Sequence, residues 1–111
     1  MIGKPRHYGI NVSDMDEAID FYADLLGFDV DREFPISDVQ ADIVGVDGVE
    51  GDIAFLDAGD LSIELIAYDA PPNDSVHNNS SGHDVGIAHL CIEVDDVWST
   101  YNDLKSDAEF I

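Results

Sequence analysis

Three side chains stand out by type and setting. His7 opens the alternating run His7-Tyr8-Gly9-Ile10-Asn11-Val12, His89 opens His89-Leu90-Cys91-Ile92-Glu93-Val94, and Glu64 lies between Ile63 and Leu65. Imidazole and carboxylate are donor types that divalent metals take, and they are also groups that exchange protons in catalysis. Glu64 has the most demanding position, because a carboxylate within an apolar run is costly unless it is paired, hydrogen-bonded or bound to metal. Taken singly, His7 also suits an edge strand, His89 a hydrogen-bonded core position and Glu64 an exposed strand face.

The elements that must position these groups follow from hydropathy periods. Residues 7–12 alternate as a half-buried strand, with Tyr8, Ile10 and Val12 on one face and His7, Gly9 and Asn11 on the other. Ser13 or Asp14 can cap a helix whose apolar positions Met15, Ala18, Ile19, Tyr22, Leu25 and Leu26 keep helical spacing until Gly27 ends it. Phe28 to Phe34 alternates again, with Asp29, Asp31 and Glu33 on a solvated face, and Pro35 closes that strand. Residues 36–51 read as a loop with a short helical turn. Asp52 to Leu56 is a third strand, and the turn Asp57-Ala58-Gly59-Asp60 leads back into a fourth from Leu61 to Tyr68.

Residues 69–85 carry Pro71, Pro72 and many Asn, Ser, Gly and His residues, as a long exposed loop or lid does. Gly86 to Val94 then reads as a buried strand, and Asp95 as the cap of a helix with Val97, Trp98, Tyr101 and Leu104 on one side. Strand parity turns His89 away from Leu90, Ile92 and Val94, as it turns His7 away from Tyr8, Ile10 and Val12. Asn11 and Glu93 share the parity of the histidines and are candidates for lining the same site, although structural polar roles suit them equally. His77 and His83 fall in the polar loop, where histidines are usually solvated and contact with substrate is the lesser reading. Arg32 reads as a surface cation, with contact to an anionic substrate as the alternative.

An internal repeat links the two histidine strands. His7 to Met15 aligns with His89 to Val97 at a constant offset of 82 residues, and the offset continues without a gap to pair Ile19 with Tyr101, Tyr22 with Leu104 and Phe28 with Phe110. The first module spans residues 1–68 with the order βαβββ, the linking loop 69–85, and a partial second module 86–111, all within a single domain. Counterparts of Val30 to Tyr68 do not occur in the second module, so further chain is expected to complete it.

The motifs H-Y-G-I-N-V-S-D-M-D-E-A-I-D-F-Y-A-D-L-L-G-F, L-S-I-E-L-I and H-L-C-I-E-V-D-D-V together resemble the vicinal oxygen chelate superfamily, which includes glyoxalases, bleomycin resistance proteins and dioxygenases. The resemblance runs the whole length of the chain. It implies an α+β fold in which paired βαβββ modules form a cupped mixed sheet with helices on its outer face. It implies His7, Glu64 and His89 as metal ligands, with a fourth ligand at about position 146 by the same offset. Glu64 would double as the base if it detached from the metal. The donor set suits Zn, Ni, Co, Mn or Fe without choosing among them.

The activity so implied is that of a metal-dependent, glyoxalase-like lyase or isomerase that moves a proton beside a carbonyl of a small-molecule substrate. Methylmalonyl-CoA epimerase-like activity stands close behind, although Glu64 occupies a position where such epimerases often carry Gln. An Fe(II) ring-cleaving dioxygenase comes next, and a non-catalytic drug-binding protein of the same fold is the rival outside enzymes. The family builds its cup within one chain or across two, and a homodimer is expected.

Composition limits the partners. Against 25 acidic residues stand 4 basic ones, for a formal net charge of −21, and Lys4, Arg6, Arg32 and Lys105 are scattered. Nucleic acid and anionic membranes are therefore excluded as expected partners, since both need clustered cations. At about 1 M salt the Debye length falls to roughly 3 Å, which screens such self-repulsion, so the acidity points to a halophile. Hydrophobic residues make up 45% of the chain, enough to build a core. Cys91 is the only cysteine; its apolar neighbours suggest a buried, inert thiol. The apolar stretches fall far short of a membrane span and the N-terminus lacks a signal-peptide core, so a cytoplasmic location is expected.

Overall fold

Leu65 and Leu56, both fully buried, mark the centre of a core that a four-stranded sheet and one helix enclose. The structure, a computed structural model, describes residues 1–72 and 80–110. The chain divides into two compact units, Met1–Asn73 and Asp74–Ile111.

The first unit runs β1 (His7–Asn11), α1 (Met15–Ile19), β2 (Asp29–Pro35), α2 (Asp38–Val44), β3 (Glu50–Ala58) and β4 (Leu61–Ala70). The strands lie in the order β1-β4-β3-β2. β1 pairs with β4 in parallel, and β3 pairs antiparallel with both β4 and β2. This is a mixed α+β arrangement with an open sheet, as half of the expected paired fold requires.

α1 starts where Asp14 accepts a hydrogen bond from the Glu17 backbone N–H at 2.9 Å, satisfying one of the helix's free donors. Beyond Ile19 the helix widens into a π-helical stretch, Asp20–Leu25, and Leu26 N–H reaches back five residues to the Phe21 carbonyl. Ala18 packs into the cluster of Ala54, Leu56, Ile63 and Leu65, with Ile10, Val12, Met15, Ile19 and Tyr22 around it. One face of the sheet is thus sealed by α1, and residues of opposite parity are left on the other.

Two local expectations change. The segment after Pro35 holds a seven-residue helix rather than a single turn, because Ser37 and Gln40 form a reciprocal capping box, with bonds of 3.3 and 2.7 Å. The strict alternation expected along β2 is interrupted by a bulge. Val30 pairs with Leu56, but Arg32 pairs with Phe55, so Asp31 is the extra residue.

In the second unit, α3 (Val97–Leu104) is capped by Asp96 rather than Asp95, its carboxylate accepting from the Ser99 N–H at 2.6 Å. Tyr101 makes edge-on contacts with Trp98 and Phe110. The buried strand expected over residues 86–94 is corrected. No ladder pairing is formed there among the described residues, and Leu90, Ile92 and Val94 are about 40% exposed. Alternation alone does not make a strand; a partner with free N–H and C=O groups must lie beside it. Cys91 is exposed for the same reason, not buried.

Candidate functional site on the open sheet face

β4 and β3 are joined at Gly59-Asp60, where the Gly59 N–H donates to the Asp57 carboxylate at 3.0 Å. So short a connection fixes the register, and Phe55 falls opposite Glu64. On the far side Glu64 faces Gly9 of β1. On the near side the bulge brings Arg32 opposite Phe55. Arg32, Phe55, Glu64 and Gly9 therefore form one row across four strands on the face that α1 does not cover.

His7 lies two residues from Gly9 along β1, on the same face. Its Nε2 is 3.9 Å from Glu64 Oε1, with the Glu64 side chain 17% and the His7 side chain 46% exposed. Gly9 faces the carboxylate across the ladder, and a Cβ there would meet Glu64 Oε1 at 3.6 Å, an ordinary van der Waals contact. Anything larger than alanine would compete with the carboxylate for its space.

The floor of the site is aromatic. The His7 ring meets Phe55 edge-on with centroids 5.5 Å apart, and Phe34 stacks on Phe55 at 6.0 Å. The Arg32 guanidinium carbon lies 4.7 Å from the Phe55 centroid and 5.6 Å from that of Phe34. Phe55 is 9% exposed although its face is open, since these side chains cover it.

Of the residues singled out in the sequence, His7 and Glu64 are brought together. Asn11 ends β1 with the parity of His7, opposite Ile66. His89 and Glu93 belong to the second unit, where both are exposed. His83 is exposed, and His77 lies outside the described residues. Among the described residues no three His, Cys, Asp or Glu side chains gather as a metal site. The pair His7 and Glu64 nevertheless offers nitrogen and carboxylate donors side by side, the chemistry that first-row divalent ions take.

Sequence reading passed over Phe55, Phe34 and Gly9. Phe55 falls beside Glu64 because the turn is tighter than the Asp57-Ala58-Gly59-Asp60 turn expected, with Ala58 already paired to Leu61. For Arg32, contact with an anionic substrate is the lesser reading of the sequence, and the bulge that turns it onto this face leaves no mark in the hydropathy pattern.

A family model described as the Glyoxalase/Bleomycin resistance protein/Dioxygenase superfamily matches residues 4–111. The mitochondrial methylmalonyl-CoA epimerase of Mus musculus is 29% identical over 107 residues, which cover 94% of this chain and 53% of that protein. The enzyme of the same name from Dictyostelium discoideum is 30% identical over 99 residues, covering 86% and 52%. The chain thus spans about half the length of the curated relatives it matches. A crystal structure of a glyoxalase family protein from Bacillus cereus superposes with a TM-score of 0.83 at 20% identity, covering 96% of this chain and 72% of that one. A glyoxalase family protein from Enterococcus faecalis gives 0.64 at 21% identity, covering 93% and 71%.

Proposed function

Since the chain belongs to the glyoxalase/bleomycin resistance protein/dioxygenase superfamily, we propose that its open sheet face moves a proton beside the carbonyl of a small acyl thioester, in the manner of an epimerase. The observation that carries this reading is the close pair of His7 and Glu64 above an aromatic floor. The relatives named methylmalonyl-CoA epimerase are the reason for placing acyl thioesters ahead of hemithioacetals.

His7 and Glu64 fit a divalent metal by their donor chemistry. His89 joins them in the proposal through the repeat that relates it to His7, and a carboxylate from further chain would complete the set. When bound, such an ion supplies Lewis-acid polarisation of a carbonyl oxygen. The remaining work falls to the chain's own residues. Glu64 takes the proton from the carbon beside the carbonyl at one of its oxygens, and inversion follows when a second acid, a carboxyl group of the complete site or water, delivers a proton to the opposite face of that carbon. Phe55, covered by His7, Phe34 and Arg32, forms an apolar floor that excludes water from beneath them. Gly9 keeps the space over β1 open for the carboxylate.

The test is solvent-deuterium exchange, followed by NMR, for the full-length protein supplied in turn with Zn, Ni, Co, Mn and Fe(II). Deuterium should enter the acidic carbon of an acyl thioester at a rate that depends on metal. Cleavage of a catechol, turnover confined to a hemithioacetal, or tight binding of ligands with no exchange would each replace this reading by another from the same superfamily.

A further inference from the structure

Arg32 is one of only 4 basic residues in the chain, and the β2 bulge turns it onto the same face as His7 and Glu64. In an unbroken ladder, Asp31 would lie opposite Phe55 and Arg32 opposite Ala54, a fully buried member of the core under α1. Asp31 absorbs the extra position, and the guanidinium comes to rest over Phe55 instead, 4.7 Å from the ring centroid. Bulges that re-aim one side chain in this way recur beside functional sites.

Among the described residues the Arg32 guanidinium donates no hydrogen bond, so its donors are available to a ligand. The guanidinium carbon lies 4.7 Å from the Phe55 centroid and 5.6 Å from that of Phe34, so the cation is held over the rings while much of the side chain stays open to solvent. Its ion pair among the described residues runs from Nε to the neighbouring Asp31 carboxylate at 3.8 Å, with both side chains more than 60% exposed. Such a pair is weak and easily exchanged. Two strand spacings separate Arg32 from Glu64 in the row, roughly 10 Å between backbones, and the arginine side chain covers part of that distance by lying over the intervening ring. A neighbouring cleft, which shares Phe34, is lined by the carboxylates of Asp14, Asp16, Glu33, Asp52 and Asp69 and suits an anion poorly.

We infer that Arg32 anchors an oxyanion of the substrate, a carboxylate on the acyl group or a phosphate on its carrier, and so orients the acidic carbon toward Glu64. This rests on the proton-transfer reading of the same face. Arg32 is a binding and specificity residue; it takes no proton.

Affinity for four ligands, measured by calorimetry on the metal-loaded full-length protein, tests it. Malonyl-pantetheine against propionyl-pantetheine isolates the carboxylate, and propionyl-CoA against propionyl-pantetheine isolates the carrier phosphates; malonyl-CoA carries both. Arg32→Met should weaken the anionic ligand by about 10- to 100-fold, the range of a charge-assisted hydrogen bond, and leave propionyl-pantetheine within about twofold. Arg32→Lys should restore part of the loss. A loss on malonyl-pantetheine assigns the carboxylate, and a loss confined to the CoA ligands assigns the phosphate. Equal weakening of all ligands would reduce Arg32 to a cover for Phe55 and overturn the inference, as would a wild type that prefers no anionic ligand. Should the Met variant not fold, the Lys variant and the wild-type ligand pairs still decide. Exchange without a ligand-selective effect of Arg32 defeats this inference alone. An Arg32-dependent preference without exchange defeats the proposed reaction alone.

Discussion

Glu64 is asked to fill two roles, ligand and base, and a single substitution separates them. Glu64→Gln keeps a ligating oxygen but removes the ability to accept a proton at neutral pH. The full-length variant should retain metal, measured by elemental analysis, and lose exchange activity by roughly 10²-fold or more. Full activity in a metal-loaded variant would leave Glu64 a ligand at most. The local setting makes this clean, because the amide is nearly isosteric and Gly9 leaves it the same room. His7 approaches from the adjacent strand at 3.9 Å and rests edge-on against Phe55, so its ring is held by contacts that the substitution does not touch.

At the scale of elements, β3 positions everything, since it pairs with both β4 and β2 and carries Phe55 between Arg32 and Glu64. Its first residues depend on Gly51, which adopts a φ of 156° where the register against β4 shifts. A Cβ at that position would collide with the Ala67 carbonyl oxygen, a backbone atom that cannot swing aside. Gly51→Ala should therefore lower the unfolding free energy by about 1 to 3 kcal/mol, read as an earlier denaturant midpoint. An unchanged midpoint would mean that the β3–β4 ladder tolerates a shift here. α1 contributes differently: it seals the opposite face through Ala18, so the sheet can leave Phe55, Glu64 and Arg32 on an open one.

Across the whole molecule, charge outweighs any single contact. A formal net charge of −21 on 111 residues repels itself across the surface, and raising ionic strength from about 0.1 M to 1 M cuts the screening length from roughly 10 Å to 3 Å. The melting temperature of the full-length protein should rise markedly over that range of KCl. A flat series would show that local pairing, not screening, contains the repulsion. The same field bears on ligand choice, because an anionic substrate is repelled almost everywhere and welcomed only where a cation such as Arg32 stands.

The sequence by itself determined the strand, helix and hairpin of the first unit, because each rests on local physics: a period of two or 3.6, a cap at Ser13 or Asp14, a turn within Asp57-Ala58-Gly59-Asp60; the structure chose Asp14 and closed the turn at Gly59-Asp60. It also singled out His7 and Glu64, since an imidazole at a strand start and a carboxylate between Ile63 and Leu65 are chemically conspicuous. What alternation could not supply was pairing. The run from Gly86 to Val94 has the pattern of a strand but forms no ladder among the described residues, and a pattern is stable as a strand only beside a partner. Nor did it reveal the face of Arg32. Strict alternation puts Val30, Arg32 and Phe34 together, but Asp31 bulges, Val30 meets Leu56 on the core side, and Arg32 meets Phe55 on the open one. One extra residue reverses every later side chain of a strand, and its place is settled by how β2 must fit β3 across the sheet, which is a tertiary constraint.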